Sequence, residues 1–237
     1  MNRITSAYKH EFGRLMKTVR ASRAQKGIQA LFDRARKIAA SEHLAPPLAL
    51  HRVHVWLIGR LQRWRHRAGA FHFPQTLGSP EFWCDAGLGG LARWVRLAGY
   101  EAHWQYGIDD AELVGKAQAG GAILLTTDSM LMERRVLREG VVPSFWVPPT
   151  LSLREQLELV FLEFQLPLRT SRCSACGGHL SLINKEEWQR QIPPKTYRWL
   201  NEFYLCDRCG KLFWKGTHWQ KARNVLAECA GSSPRPG

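Results

Sequence analysis

The segment from Phe82 to Tyr100 constrains the fold most strongly, because it has the pattern of one strand, one turn and one helix. A short apolar stretch ends at Cys84 and is followed by Asp85, a glycine-rich turn and a helix that a glycine closes. The helix repeats apolar residues at i, i+3, i+4 and i+7, which gives it one apolar face: Leu91, Trp94, Val95 and Ala98. Arg93 and Arg96 are expected on the opposite side. The segment therefore predicts an α/β unit with Asp85 at its mouth.

The same alternation of strand and helix continues to about residue 166. The apolar patterns predict strands over 82–84, 101–105, 122–126 and 142–147, and helices over 88–98, 110–119, 130–139 and 153–165. Ser152 and Glu155 form a capping-box pattern at the start of the last helix. Strands separated by helices of this length are typical of right-handed βαβ units. The expected fold class is α/β, with a mostly parallel sheet flanked by helices.

Regions of different composition flank this α/β segment. Residues 1–78 predict a basic helical region, interrupted at Pro46-Pro47. We expect an α/β domain over 79–167, a small cysteine-containing domain over 168–228 and a disordered tail over 229–237. The apolar stripes of the helical region are Tyr8, Phe12, Leu15, Met16 and Val19, then Ile28, Leu31, Phe32, Ala35 and Ile38, then Val53, Leu57, Leu61 and Trp64.

Positive charge is concentrated in the first third of the chain. Residues 1–75 contain 15 Lys and Arg against three acidic residues, in a chain of net charge +14. Such a block attracts polyanions, so nucleic acid is the first partner to consider, although charge alone does not separate it from a solvated surface or an acidic membrane. The sequence shows neither a membrane-length apolar run nor a secretory leader, so we expect a soluble, cytoplasmic protein. An Arg-rich, acid-poor start is also typical of an organelle transit peptide.

Four of the six cysteines form two matching motifs. Cys173 and Cys176 make one C-x-x-C-G knuckle, and Cys206 and Cys209 make another, with 29 residues between the two. Four thiolates in this arrangement can hold one structural Zn²⁺, as in a zinc ribbon. The spacer is longer than usual for this motif, which predicts an insertion between the ribbon hairpins. Two disulfides are the alternative, and a reducing compartment disfavours them.

Aromatic and basic residues alternate after the second knuckle, from Lys211 to Trp219. Such a segment can stack on bases and contact phosphates. Its aromatic residues can equally form the small core of the ribbon, which is the interpretation we favour. The roles of Lys215 and His218 stay open at this point.

Acidic residues follow three successive predicted strands. Asp85 follows the first strand, Asp109, Asp110 and Glu112 follow the second, and Asp128 follows the third. Taken singly, each suits a helix cap or a first helical turn. Together they are expected to meet at one sheet edge, where a cation would offset their mutual repulsion. Carboxylate oxygens suit Mg²⁺ or Mn²⁺, which can promote phosphodiester hydrolysis.

These motifs resemble those of the Mut7-C family, which has a PIN-like domain followed by a zinc ribbon. The resemblance runs in order over residues 80–220. It implies a PIN-like α/β fold, a proposed Mg²⁺- or Mn²⁺-dependent ribonuclease activity, and metal-binding roles for Asp85, Asp110 and Asp128. The residues that carry it are Asp85-Ala-Gly-Leu-Gly-Gly-Leu-Ala-Arg-Trp-Val-Arg-Leu-Ala-Gly-Tyr100, Asp109-Asp110-Ala-Glu112-Leu, Leu124-Leu-Thr-Thr-Asp128, the two knuckles and Trp214-Lys-Gly-Thr-His-Trp219.

The chain departs from the family pattern at three positions. Gly90 stands where the family usually has a basic residue, Thr127 where it has arginine, and Glu101 where it has aspartate. Two of these departures remove positive charge near the expected path of the phosphates. The N-terminal 78 residues lie outside the resemblance.

The sequence therefore predicts a metal-dependent ribonuclease. Asp109, Glu112 or Glu133 would help to activate water, and the basic residues Arg93, Arg96 and Lys215 would bind the RNA. The alternative is a non-catalytic protein that binds RNA or a ribonucleoprotein and has kept the fold. A toxin-like nuclease held by a partner is a third possibility.

Overall fold

Three helices form the N-terminal part of the molecule. In the computed structural model, which describes residues 3–67 and 79–231, they run over Arg3–Thr18 (α1), Ala24–Ser41 (α2) and Pro46–Arg67 (α3). Proline suits the start of α3 because the first helical N–H groups lack intrahelical partners. The predicted stripes supply the buried faces: Tyr8, Phe12 and Leu15, then Ile28, Leu31 and Ala35, then Val53, Leu57 and Leu61. The helical prediction is confirmed, although Trp64 is 46% exposed.

A four-stranded parallel sheet follows. Its strands are Glu81–Cys84 (β1), Glu101–Trp104 (β2), Ile123–Thr126 (β3) and Ser144–Trp146 (β4), in the spatial order β2-β1-β3-β4. The central strand β3 is buried along its whole length, as expected of a strand covered on both faces. The predicted α/β fold with a parallel sheet is confirmed.

The helices of this sheet run over Gly89–Leu97 (α4), Asp110–Gly120 (α5), Arg135–Arg138 (α6) and Leu153–Phe164 (α7). The capping box at the start of α7 is present, with the Ser152 hydroxyl accepting from the Glu155 N–H and the Glu155 carboxylate accepting from the Ser152 N–H. The helix predicted over 130–139 is instead a 3₁₀ turn, Leu131–Glu133, followed by the short α6. Arg134 separates them because its ψ of 137° is not helical.

The C-terminal region contains a three-stranded antiparallel sheet. Its strands are Leu180–Ile183 (β5), Phe203–Cys206 (β6) and Leu212–Trp214 (β7). A short helix, Pro194–Trp199 (α8), lies between β5 and β6 and confirms the predicted insertion. The last helix, Thr217–Gly231 (α9), buries Leu226 and Cys229, so the expected start of the tail at residue 229 falls inside a helix. Residues 232–237 of the expected tail lie outside the described residues.

The N-terminal helices share one hydrophobic core with the sheet. The Tyr8 ring meets the Trp146 ring edge to face, at a centroid distance of 5.2 Å. The Gln62 side chain in α3 donates a hydrogen bond of 2.6 Å to the Glu163 carbonyl in α7. The boundary expected near residue 78 lies outside the described residues, but the core continues from one side of it to the other. No helix in the described ranges combines the length and the apolar character that crossing a bilayer requires.

Candidate functional site

The carboxyl ends of β1, β2 and β3 place acidic residues along one edge of the parallel sheet. Asp85 directly follows β1, Asp109 and Asp110 start α5 after β2, and Asp128 lies two residues beyond β3. Because these strands are parallel neighbours, their ends open toward the same side. We call this region the acidic edge. What each carboxylate contacts there decides what it can do.

Asp85 is a hydrogen-bond acceptor between two strands. It is only 9% exposed, and its Oδ1 accepts from the Gly87 N–H at 3.0 Å. Its Oδ2 accepts from the Thr126 hydroxyl at 2.9 Å, the Thr127 N–H at 2.5 Å and the Thr127 hydroxyl at 2.9 Å. Asp85 thus caps the turn after β1 and ties that turn to the end of β3. The helix-cap role that the sequence allowed is present.

The acids before and in α5 also have local partners. Asp109 is the N-cap residue, and its Oδ1 accepts from the N–H groups of Ala111 at 2.8 Å and Glu112 at 2.9 Å. Glu112 pairs with Lys116 one turn further on, at 3.1 Å. Asp110 faces Arg134 at 3.5 Å, and both side chains are more than 40% exposed. Exposed pairs of this kind contribute little stability, so Asp110 can exchange its partner at low cost.

The residues after β3 form a tight turn. The Asp128 N–H donates to the Thr126 hydroxyl at 3.0 Å, and Asp128 Oδ1 accepts from the Met130 N–H at 2.8 Å. Thr126 therefore links Asp128 to Asp85, since its hydroxyl also donates to Asp85. Glu133, a predicted helper, instead pairs with His10 of α1 at 3.0 Å.

The two cysteine knuckles converge in the C-terminal region. Among the residues that the structure describes, Cys173, Cys176, Cys206 and Cys209 form the group of candidate ligands close enough to share one ion, with all four Sγ atoms within 4.8 Å of one another. The Sγ–Sγ distances of 3.7 Å (Cys173–Cys209) and 3.4 Å (Cys176–Cys206) are near the roughly 3.8 Å edge of a tetrahedron of Zn–S bonds. The four predicted cysteines could therefore hold one metal ion, which is consistent with structural zinc.

Backbone geometry supports both knuckles. The residue after each second cysteine, Gly177 or Gly210, has a φ of 82° or 66°, a conformation that glycine adopts without strain. Each donates its N–H to the carbonyl of the first cysteine of its knuckle. Burial alone would raise the pKa of Cys206, but hydrogen bonds from the Cys209 and Arg208 N–H groups lower this pKa to about 7. In the same cluster, burial raises the pKa of Cys173 and raises that of Cys176 to about 12, so Cys206 is the thiol that these contacts favour as the first to lose its proton.

Cys84 lies outside this group. It is fully buried in β1, and burial, together with the neighbouring Asp85 charge, raises the pKa of its thiol to about 12. A neutral buried thiol is chemically inert. This confirms the interpretation of Cys84 as a buried strand residue.

Arg96 corrects a prediction. It is only 6% exposed, whereas the helical pattern placed it on the open side of α4 with Arg93. Its guanidinium donates to the carbonyls of Ala102 at 2.6 Å, Ser174 at 3.2 Å and Ala175 at 2.7 Å. The physical reason is that the first knuckle packs over this part of α4. Arg96 therefore joins the α/β domain to the ribbon and has no guanidinium face open to a phosphate.

Glu101 makes a second connection between the same two regions. Its carboxylate pairs with Arg172 at 2.5 Å and with Arg208 at 2.6 Å, both in the ribbon segment. Burial would raise the pKa of Glu101, but hydrogen bonding to Arg208 and the charges of both arginines lower it below the usual range. Glu101 thus connects the end of the linker at 168–172 to the second knuckle.

A groove of about 980 Å³ lies between α4, the linker at 168–172, the ribbon sheet and α9. We call it the ribbon groove. Arg93 and Lys215, both predicted to bind RNA, line it, and Lys215 also pairs with Glu202 at 2.5 Å. Three further cations of the groove, Arg169, Arg172 and Arg223, were not predicted from the sequence. For Arg169 and Arg172, the available signal was their position just after the boundary of two predicted domains, a common place for binding sites, whereas Arg223 carried no such signal.

A parallel α/β domain with an acidic edge, followed by a four-cysteine ribbon, defines the class of this protein. A model of the family described as the Mut7-C RNAse domain matches residues 80–226, which is more than half of the chain. The chain therefore belongs to the Mut7-C family. No curated protein and no solved structure matches it. Membership suggests a ribonuclease-type function with RNA as substrate, and the first three helices lie outside the matched residues.

Proposed function

We propose that the protein is a metal-dependent ribonuclease that hydrolyses RNA phosphodiester bonds at the acidic edge. The observation that carries the proposal is the placement of Asp85, Asp110 and Asp128 after three neighbouring parallel strands. This placement occurs in a chain that belongs to a ribonuclease family. The proposed metal ligands are these three aspartates.

Among the described residues, the three aspartates are not close enough together to form a ready-made three-ligand site, so the proposal rests on the oxygens that each could offer to Mg²⁺ or Mn²⁺. Asp85 Oδ1 and Asp128 Oδ1 each accept a single N–H, which leaves lone pairs on both oxygens. Mg²⁺ commonly binds through one or two carboxylates and keeps several waters, so it does not need a closed set of protein ligands. Asp85 and Asp128 would hold the ion, and Asp110 would join them once it is released from Arg134. When bound, the ion would supply an activated water and stabilise charge on the leaving oxygen.

The other acidic residues of this region would support the three aspartates in different ways. Asp109 fixes the start of α5 and so fixes the position of Asp110. Glu112 and Glu133 are exposed enough to exchange their present partners, Lys116 and His10, for a water molecule. Arg134, the present partner of Asp110, would be available to contact a phosphate if Asp110 bound a cation. These residues would orient water and substrate around the aspartates.

One observation favours a second candidate, a non-catalytic RNA-binding protein. Asp85 Oδ2 already accepts three hydrogen bonds, two of them from Thr127, where the family pattern has arginine. Gly90 also lacks the positive charge that the family pattern has at this position. A side chain would fit there, because a Cβ on Gly90 would contact only Leu153, at an ordinary 3.6 Å. The acidic edge is thus stable without a cation and carries less positive charge than the family pattern. This is what a retained fold without cleavage would require.

Cleavage of a mixed RNA pool with and without Mn²⁺ tests the proposal. We expect Mn²⁺-stimulated cleavage by the wild type, and a loss of at least about 100-fold in Asp128→Asn and Asp110→Asn, since even indirect partners of a metal commonly cost up to this much. Asp33→Asn, which changes an acid of α2 that pairs with Arg36, is the matched control and should cleave normally.

The opposite result would support the second candidate. A wild type that binds RNA but cleaves none of the pool in Mg²⁺ or Mn²⁺ would overturn the ribonuclease proposal. Cleavage that survives unchanged in both aspartate variants would remove these residues from the site.

A further inference from the structure

We infer that the ribbon groove binds single-stranded RNA along its length and leads the strand toward the acidic edge. The inference rests on the proposed function for the identity of the polymer. The groove itself is argued from its charge, its aromatic lining and its extension across the ribbon.

The charged side chains that line the ribbon groove are all basic, although two of them, Arg172 and Lys215, pair with Glu101 and Glu202, which are not among the lining residues. The lining contains six Lys and Arg side chains and His218 but no Asp or Glu: Arg93, Arg169, Arg172, Lys211, Lys215 and Arg223. Arg93 and Lys211 are exposed, and neither has a carboxylate partner within the described ranges. A concave surface of this kind attracts a polyanion and releases its counterions on binding.

Aromatic side chains are interleaved with these cations. Five of them line the groove, each partly exposed: Trp94, Tyr204, Phe213, Trp214 and Trp219. Lys215 Nζ lies 5.7 Å from the Trp219 ring centroid, and the Arg223 guanidinium lies 5.9 Å from it. Rings that are partly open beside cations offer what single-stranded nucleic acid needs, namely stacking for bases and charge for phosphates. We expected these aromatic residues to form the core of the ribbon, but their rings are only partly buried and keep a surface that a ligand can contact.

A second groove adjoins the ribbon groove. It has a volume of about 330 Å³, shares Trp214, His218 and Trp219 with the first and reaches Lys195 and Trp199 near α8. Trp199 is 78% exposed, and this second lining also contains no acidic side chain. The two adjoining grooves, which we call the track, present aromatic rings at several points, and this arrangement fits an extended polymer better than a mononucleotide.

The shape and position of the track favour a single strand that passes to the acidic edge. The bases of a duplex are stacked on one another and are not free to meet half-buried rings. Arg93 lies four residues after Gly89, the first residue of α4, which corresponds to about 6 Å along the helix. Asp85 precedes that same end of α4. A strand held by the groove would therefore emerge near the proposed site of cleavage.

Fluorescence anisotropy with a labelled single-stranded oligouridine RNA tests the inference, in buffer without Mg²⁺ or Mn²⁺ so that no cleavage occurs. Trp219→Ala should bind about tenfold more weakly, whereas Trp219→Phe, which keeps a stacking face, should bind nearly as the wild type does. Lys211→Ala should lower the slope of log affinity against log salt by about 0.7, the value of one phosphate contact on a single strand. Lys221→Ala is the matched control, because Lys221 is exposed on α9 but lines neither groove.

Each outcome decides between the groove and other surfaces. Unchanged affinity in Trp219→Ala, an equal salt slope in Lys211→Ala and Lys221→Ala, or equal binding of a duplex RNA would overturn the inference. Binding of polyglutamate in place of RNA would assign the groove to an acidic protein and would also overturn it. Zinc content, measured for every variant, shows that the ribbon is intact.

The binding test is independent of the cleavage test. Binding that depends on the groove in a protein without cleavage would keep this inference and reject the proposed function. Mn²⁺-dependent cleavage, together with RNA binding that is unchanged in the Trp219 and Lys211 variants, would keep the proposed function and reject this inference.

Discussion

The two candidate metal sites of this protein differ in what their ligands do without a metal. In the ribbon, the four cysteine Sγ atoms face one another across less than 4.8 Å. At the acidic edge, the carboxylates of Asp85, Asp109 and Asp128 accept hydrogen bonds from backbone N–H groups, and Asp110 pairs with Arg134. The four thiols lie close to one another, whereas each carboxylate contacts donors of the chain around it.

This difference distinguishes a structural metal, which the ribbon needs in order to fold, from a catalytic metal, which would bind to an edge that is already folded. Thiolates held this close repel one another, so the ribbon depends on a cation to offset the repulsion. The carboxylates need none, because donors from the chain already compensate them. We therefore expect metal removal to unfold the ribbon and to leave the acidic edge intact.

The largest effect is expected for Cys206→Ser. Loss of one thiolate should reduce bound zinc from about one ion per chain to almost none, since structural zinc in small domains supplies roughly 10–16 kcal/mol of binding free energy. Amide hydrogen exchange should then become fast in β5, β6 and β7. The parallel sheet should keep its protection, because its core is formed by other residues. Zinc analysis and hydrogen exchange measure the two parts separately.

Cys229→Ser is the control for this variant. Cys229 is buried in α9 but lies outside the cysteine group, so the variant should keep its zinc. Equal zinc loss in both variants, or full zinc content in Cys206→Ser, would contradict the assignment of the four cysteines.

A smaller effect is expected where the two regions are joined. Arg96→Met should lower the free energy of unfolding by about 3 kcal/mol, because three carbonyls lose a charged donor. Arg93→Met, on the same helix but exposed, should change it by less than about 0.5 kcal/mol. Urea unfolding of both variants makes the comparison, and similar values for the two would show that Arg96 does not hold the ribbon to the sheet.

The contrast between these two arginines shows the reach of sequence reasoning. The pattern of α4 predicted the buried face correctly for Leu91, Val95 and Ala98, because periodicity is a local property. It could not predict the burial of Arg96, since the carbonyls of Ser174 and Ala175 are 78 and 79 residues away. Partners that distant depend on how the ribbon packs, and no local pattern encodes that.

The same limit applies to the two sites. The spacing of the cysteines predicted which residues converge, because each knuckle is a local turn and the same motif occurs twice in the sequence. The strand pattern likewise predicted the edge on which the aspartates lie. It did not predict that Thr126 and Thr127 would donate three hydrogen bonds to Asp85, because that contact crosses from β1 to β3. The apolar stripes of the N-terminal helices indicated faces that pack against one another or against the next domain, and the shared core includes both kinds of contact.

The smallest change in stability is expected for substitutions at the acidic edge. These variants test most directly how this edge differs from the cysteine site. Asp85→Asn should lower the free energy of unfolding by about 2 kcal/mol, because an amide group would meet the threonine donors that the carboxylate now satisfies. For a chain of this size, that corresponds to a fall in melting temperature of about 6 °C. Asp128→Asn should cost less than about 1 kcal/mol, since Asn can form the same turn with Met130.

Differential scanning calorimetry of the two variants, with and without Mn²⁺, separates structure from metal binding at the acidic edge. If Asp85 is mainly structural, its variant melts lower in both buffers. If the aspartates also bind an ion, Mn²⁺ raises the melting temperature of the wild type, and this rise is lost in Asp128→Asn although that variant is almost as stable as the wild type. A wild type that Mn²⁺ does not stabilise, together with an Asp85→Asn variant that melts low, would leave the acidic edge as a structural element and would favour the non-catalytic RNA-binding candidate.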